Sequence, residues 1–191
     1  MEKVSLSNEK ISRLLQIAGY SEDEIEEYLA GEHDYFQDSA DNAFGLTETL
    51  AFSQQGINMD WRSSPDELLG DIRKASKSLG VEIQYEDDDA LEINIPLSIV
   101  FPGAKSPQSF VLNTKEDSNP IEEYTFGIVS LLNEFGEVRQ LSGFDGTDGF
   151  GFLLLNHADW TEVRKLFGTE FDAFFTPYGP DAMIVPARQK S

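Results

Sequence analysis

The chain has 191 residues, no cysteine, and 35 acidic against 14 basic residues, which gives a formal net charge of −21 at pH 7. The missing cysteine excludes disulfides, thiolate nucleophiles, zinc–thiolate sites and iron–sulfur clusters. The acidic balance argues against direct nucleic-acid binding, because phosphates would be repelled, and favours a basic partner, cations or simply a solvated surface. The excess is concentrated in residues 1–100, which hold 22 acidic and 7 basic residues.

The sequence contains no segment that predicts a membrane location. Residues 1–5 lack the apolar core of a signal peptide, and no apolar run approaches the length of a membrane span. We therefore expect a cytoplasmic protein without membrane contact.

Two short helices are predicted at the N-terminus. The first covers Ser7–Ala18. The second begins at Ser21, whose spacing to Glu24 is that of a capping box, and ends at Gly31. Residues 1–41 are thus predicted to form an acidic helical hairpin and loop, packed on a main domain of residues 42–191.

The middle of the chain alternates between strand and helix patterns. Residues 57–61 alternate as a half-buried strand does, residues 64–80 form a capped amphipathic helix, and residues 81–95 form a hairpin. The strand–helix–strand order of residues 57–86 suggests one parallel pairing through a crossover. Short extended pieces are then bounded by three prolines, Pro96, Pro102 and Pro107.

The stretch Asn119–Phe167 organises the rest of the chain. It predicts a helix that starts at Asn119-Pro120 and ends at Gly136, two strands at Glu137–Leu141 and Phe150–Leu155, and a second helix capped by Asn156. On that second helix the spacing predicts a face buried against the Phe150–Leu155 strand, made of Trp160, Val163 and Phe167. The fold class is therefore α+β: a largely antiparallel sheet with helices packed on one face, preceded by the N-terminal helical hairpin.

Candidate metal ligands are few. The two histidines, His33 and His157, have acidic neighbours but not the spacing that places two imidazoles on one helix face. Between the last two predicted strands, Asp145 and Asp148 lie among glycines and are weak candidates for a Ca²⁺ site. A hairpin turn requires the same residue types, so the turn is the favoured interpretation, and we expect no metal and no cofactor.

The search for an enzyme constellation gives no motif. The sequence has no Gly-x-Ser-x-Gly, no phosphate-binding glycine loop and no dinucleotide fingerprint. A pair of carboxylates acting as acid and base needs none of these. A small carboxylate-based or metal-assisted hydrolase therefore remains an alternative, and a protein that mimics nucleic acid is a further one.

The leading functional hypothesis is a non-catalytic, acidic binding protein that docks a basic protein partner, in the manner of a cognate inhibitor or an immunity-type protein. Electrostatic complementarity would speed association and select the partner. The expected docking residues lie in the N-terminal hairpin and its loop: Asp23, Glu26, Glu27, Glu32 and Asp34. A basic patch at Arg73, Lys74 and Lys77 is interpreted as a solvated helix end.

Overall fold

The computed structural model describes residues 6–31, 42–60, 65–85, 94–113, 127–142 and 149–178. The helices in these ranges are α1 (Asn8–Ile17), α2 (Glu22–Ala30), α3 (Asn42–Phe52), α4 (Pro65–Ser76), α5 (residues 127–132), α6 (His157–Phe167) and α7 (Phe171–Phe174). The strands are β1 (Gly56–Asp60), β2 (Glu82–Tyr85), β3 (Asn94–Val100), β4 (Gln108–Asn113), β5 (Gly136–Leu141), β6 (Gly149–Asn156) and β7 (Phe175–Pro177).

The strands form two antiparallel sheets. The larger has the order β1-β6-β5-β7 and the smaller β2-β3-β4, and all of these pairings are antiparallel. The α+β class, the antiparallel pairing and the preceding helical hairpin are confirmed. The suggested parallel crossover is wrong, because the strands on either side of α4 belong to different sheets.

Residues 151–155 of strand β6 are buried, and they separate two hydrophobic cores. Phe152 and Leu154 face a core shared with α4, α5 and the smaller sheet. Leu153 and Leu155 face a second core shared with α1, α2, α3, α6 and α7. The helical hairpin, the helix after it and the last helices thus lie together on one face of the larger sheet.

The predicted inner face of α6 is confirmed. The side chain of Asn156 caps the helix by accepting a hydrogen bond from the Asp159 amide at 2.9 Å. Trp160, Val163 and Phe167 are buried in the same core as Leu153 and Leu155 of β6.

The prediction that Gly136 ends a helix is wrong. Gly136 is the first residue of β5 and has no positive φ. A Cβ there would lie 2.6 Å from the Leu155 carbonyl oxygen and 2.8 Å from a methyl carbon of Leu79. Glycine is required because the backbone of β6 approaches closely, not because the chain must turn.

Two prolines lie inside strands rather than between them. Pro96 is in β3 opposite Val111 of β4, one residue beyond the Leu97–Val100 segment that pairs with β2. Its missing N–H therefore removes no bond to β2 in the described pairing. Pro177 is the last residue of the edge strand β7. The predicted start of a helix at residues 119–126 and the predicted turn at residues 143–148 lie outside the described residues.

Candidate functional site

Helix α2 carries the predicted docking residues and is well defined at both ends. The Ser21 hydroxyl accepts a hydrogen bond from the Glu24 amide, and the Glu24 carboxylate accepts one from the Ser21 amide at 2.7 Å. This is the predicted capping box, which fixes the start of the helix. At the other end Gly31 has φ 71° and ψ 23°, the left-handed conformation that closes a helix at little cost for glycine.

The inner face of α2 anchors it to the body of the protein. Ile25 is buried in the core of α1, α3 and α6, and Tyr28 and Leu29 pack against that core. Tyr20, just before the helix, donates its hydroxyl to the Thr49 carbonyl oxygen of α3 at 2.7 Å. The helix is thus held as a rigid support for whatever its outer face presents.

Burial of these tyrosines changes their acidity. Desolvation raises the pKa of Tyr20 to about 12, with a smaller contribution from the charge of Glu24. Desolvation likewise raises the pKa of Tyr28 to about 12, assisted by Tyr20. Both shifts have the same cause as the anchoring itself, since a phenolate loses hydration in the packed interface.

The alkaline titration of the protein should report this packing. A phenol whose pKa rises from 10.0 to about 12 on folding stabilises the fold fully below pH 10 and loses that contribution as the pH rises through 12. Absorbance titration should therefore find at least two late phenolates, those of Tyr20 and Tyr28, and Tyr28→Phe should remove one. Titration of every tyrosine near pH 10 in the folded protein would contradict the packing of α2.

The exposed residues of α2 are acidic except for Ala30. Asp23, Glu26 and Glu27 are exposed and, with Glu22 and Glu24, give five carboxylates and no basic residue in nine positions. We call Asp23, Glu26 and Glu27 the acidic face. Glu32 and Asp34, the other two predicted docking residues, lie outside the described residues.

In the predicted basic patch, Arg73 and Lys74 each contact a different neighbouring side chain. The guanidinium of Arg73 lies 5.2 Å from the centroid of the Tyr85 ring. Lys74 donates to the Asp71 carboxylate at 3.1 Å, and that carboxylate also accepts the Asn58 amide. Lys77 is exposed. These contacts agree with the interpretation of a solvated helix end.

A groove of about 600 Å³ between α1 and α6 was not anticipated. Its basic side chains are Lys10, Arg13 and Lys165, and the first and last of these are more than 150 positions apart in the sequence. Arg13 forms two hydrogen bonds with the Glu162 carboxylate, and the hydrogen bond and charge of Arg13 lower the pKa of Glu162. Because that pair neutralises itself and Glu9 adds another carboxylate, the groove has little net positive charge.

Arg139 is the most unusual charged residue of the described structure. Its side chain is 7% exposed and lies in the larger sheet, where it pairs with Glu137 at 2.6 Å and donates to the Phe175 carbonyl oxygen at 3.1 Å. The guanidinium carbon lies 4.8 Å from the ring centroid of Phe171 and 5.5 Å from that of Trp160. These contacts tie β5 to α6, α7 and β7, so Arg139 has a structural role.

Of the candidate metal ligands, only His157 lies among the described residues. His157 is exposed at the start of α6, and the nearby Asp159 is occupied with the Asn156 cap. Among the described residues, no group of three or more His, Asp or Glu side chains is placed to hold a metal ion. His33, Asp145 and Asp148 lie outside those residues, so the Ca²⁺ site remains a weak prediction.

Comparison with protein-family models, with curated proteins and with solved structures gives no match for this chain. Within the described ranges, no helix is both long and apolar enough to cross a membrane.

Proposed function

We propose that the protein is a non-catalytic, cytoplasmic binding protein whose acidic face docks a basic protein, as a cognate inhibitor or an immunity-type protein does. The observation that carries the proposal is the acidic face itself: an outer helix surface whose charged side chains are all carboxylates, on a helix fixed by a capping box, a glycine cap and a buried Ile25. A rigid support matters because a preorganised face loses little conformational entropy on binding.

The position of Glu26 is unfavourable for the helix. The helix dipole stabilises acidic side chains only in the first turn, whereas Glu26 and Glu27 follow that turn, and the last turn has no basic residue. Asp23 is three and four residues from Glu26 and Glu27, spacings at which like charges destabilise a helix by about 0.2–0.5 kcal/mol per pair. Helix stability therefore does not account for Glu26, which supports a role in recognition.

A basic partner also fits the whole molecule. With a net charge of −21, the long-range field attracts cationic surfaces and repels acidic ones before contact is made. Contact with the acidic face would then align the partner. Affinity capture from the native host should accordingly recover a basic protein, and capture of an acidic protein would contradict the proposal.

Charge reversal tests whether the acidic face is the contact. The variant Asp23→Lys, Glu26→Lys, Glu27→Lys should slow association with the captured partner by at least about tenfold, the lower range of electrostatic steering effects. These side chains are exposed, so the fold should persist. The measurement is stopped-flow association, with circular dichroism to verify folding.

A matched control separates local contact from total charge. Reversal of Glu9, Glu82 and Glu134, which are exposed on α1, β2 and the turn before β5, also takes the net charge from −21 to −15, because each reversal adds two charges. It should slow association much less. If the two triple variants slow association equally, the acidic face is not the contact surface. Turnover of a substrate by the purified protein would instead favour the hydrolase alternative.

A further inference from the structure

The smaller sheet contains the least charged part of the chain. Residues 94–114, which cover β3 and β4, have one charged residue in 21, Lys105, whereas charged residues make up 26% of the protein. Lys105 lies in the connection between the two strands. Any contact with another molecule along β4 would therefore be formed without ionic side chains.

Strand β4 is an edge strand in the described structure. It pairs with β3 on one side, and no described strand pairs with its other side. Alternate N–H and C=O groups of such a strand point away from the sheet and are available to another strand. Val111 in this strand is 57% exposed, and its cross-strand neighbour Pro96 is exposed too.

The other described edge strands have features that discourage pairing with a further strand, whereas β4 has none of them. Strand β2 has four residues and carries Glu82, β7 has three and ends in Pro177, and β1 has five and ends in Asp60. Strand β4 has six residues, Gln-Ser-Phe-Val-Leu-Asn, with neither a charge nor a proline. Charges, prolines and short length are the usual protections of an edge, so β4 is the edge strand without them among the strands that the structure describes.

We propose that β4 pairs antiparallel with β4 of a second copy of this chain, across a two-fold axis, so that the two smaller sheets become one six-stranded sheet. A second copy is the fitting occupant because a two-fold contact is self-complementary. Two molecules of charge −21 repel each other over most of their surfaces, and an uncharged strand is where that repulsion is weakest. A partner selected for basic charge would gain no ion pairs at this strand.

The register follows from the pleat. Residues opposite each other in an antiparallel pair point to the same face of the sheet. The two-fold axis must therefore lie midway between the two copies of one residue, which are then opposite each other. Placing it at Val111 sets that exposed side chain against its own copy and sets Ser109 against Asn113 of the second copy, both uncharged. The apolar exposure at Val111 is then covered by the dimer.

Sedimentation velocity over a concentration series tests the pairing. The wild-type chain should move from 21.4 kDa toward twice that mass as its concentration rises. Added salt should favour the dimer because it screens the repulsion between the copies. Salt should weaken docking at the acidic face, so the two proposals respond in opposite directions and can fail separately. A monomer at every concentration and salt level overturns the dimer.

A charge on the strand provides the selective variant. Val111→Lys should abolish the dimer without lowering the melting temperature, because the side chain is mostly exposed. Gln84→Lys is the matched control, since Gln84 is exposed on the opposite edge strand of the same sheet and the charge change is identical. Loss of the dimer in both variants, or in neither, overturns the assignment to β4.

The absence of cysteine allows a direct geometric test. Val111→Cys, made in the otherwise wild-type chain, should form an intermolecular disulfide on mild oxidation. Residues that lie opposite each other in an antiparallel pair have Cα atoms about 4.5–5.5 Å apart, which is within the range that a disulfide can span. Gln84→Cys should not form one. Cross-linking of Gln84→Cys as fast as Val111→Cys would indicate random collision and overturn the paired strand.

Discussion

The Phe167→Ala variant is expected to lose about 3–5 kcal/mol of unfolding free energy, the usual cost of truncating a core aromatic residue. Phe167 is 2% exposed and its ring centroid lies 5.3 Å from that of Phe174 and 5.2 Å from that of Phe175. The cavity would open between α6, α7 and β7, where the neighbouring rings support one another. Relaxation would therefore disturb several aromatic contacts, which favours a large loss.

Urea denaturation provides the measurement, and Phe52→Ala is the matched control. Phe52 ends α3 and is 60% exposed, so the same truncation there should cost less than about 1 kcal/mol. The comparison holds the chemistry constant and changes only burial. A loss below about 1 kcal/mol at Phe167 would contradict the helix-on-sheet core.

The Glu137→Leu variant should also be strongly destabilised, by about 3 kcal/mol. Glu137 is the close partner of the buried Arg139, and removal of one member of a buried ion pair leaves an uncompensated charge. Asp172 is the remaining carboxylate near Arg139, at 3.9 Å, and its own side chain is 76% exposed. We place the loss at the lower end of the expected range because Glu137 is itself 34% exposed.

The double variant Glu137→Leu, Arg139→Met separates charge from packing. Replacing both members of a buried pair with apolar side chains of similar size is often nearly neutral, so the double variant should be more stable than Glu137→Leu alone. The measurement is again urea denaturation, arranged as a double-mutant cycle. If the two losses simply add, Glu137 and Arg139 do not act as a pair.

The local elements could be predicted from the sequence because their signals are local. The cap at Asn156 and the capping box at Ser21 each need only three residues of context, and both are present. The spacing of Trp160, Val163 and Phe167 identified the buried face of α6 for the same reason. The phase of α2 likewise placed Asp23, Glu26 and Glu27 on its exposed side.

The tertiary features could not be predicted because their causes are distant in sequence. Gly136 is needed for the approach of Leu155, and nothing beside Gly136 in the sequence indicates that contact. The burial of Arg139 depends on aromatic residues that follow it by 21 to 36 positions. The division of the strands into two sheets depends on which strands pair with β6. The alternation of apolar residues along a strand does not indicate its pairing partner.

The docking proposal is most directly tested by the salt dependence of association between the protein and its captured partner. Screening acts within about 8 Å at physiological ionic strength, so the association rate should fall steeply as salt is added. The slope should be much shallower for the Asp23→Lys, Glu26→Lys, Glu27→Lys variant than for the control reversal of Glu9, Glu82 and Glu134. An association rate indifferent to salt, or the same slope in both variants, would contradict docking through the acidic face of α2.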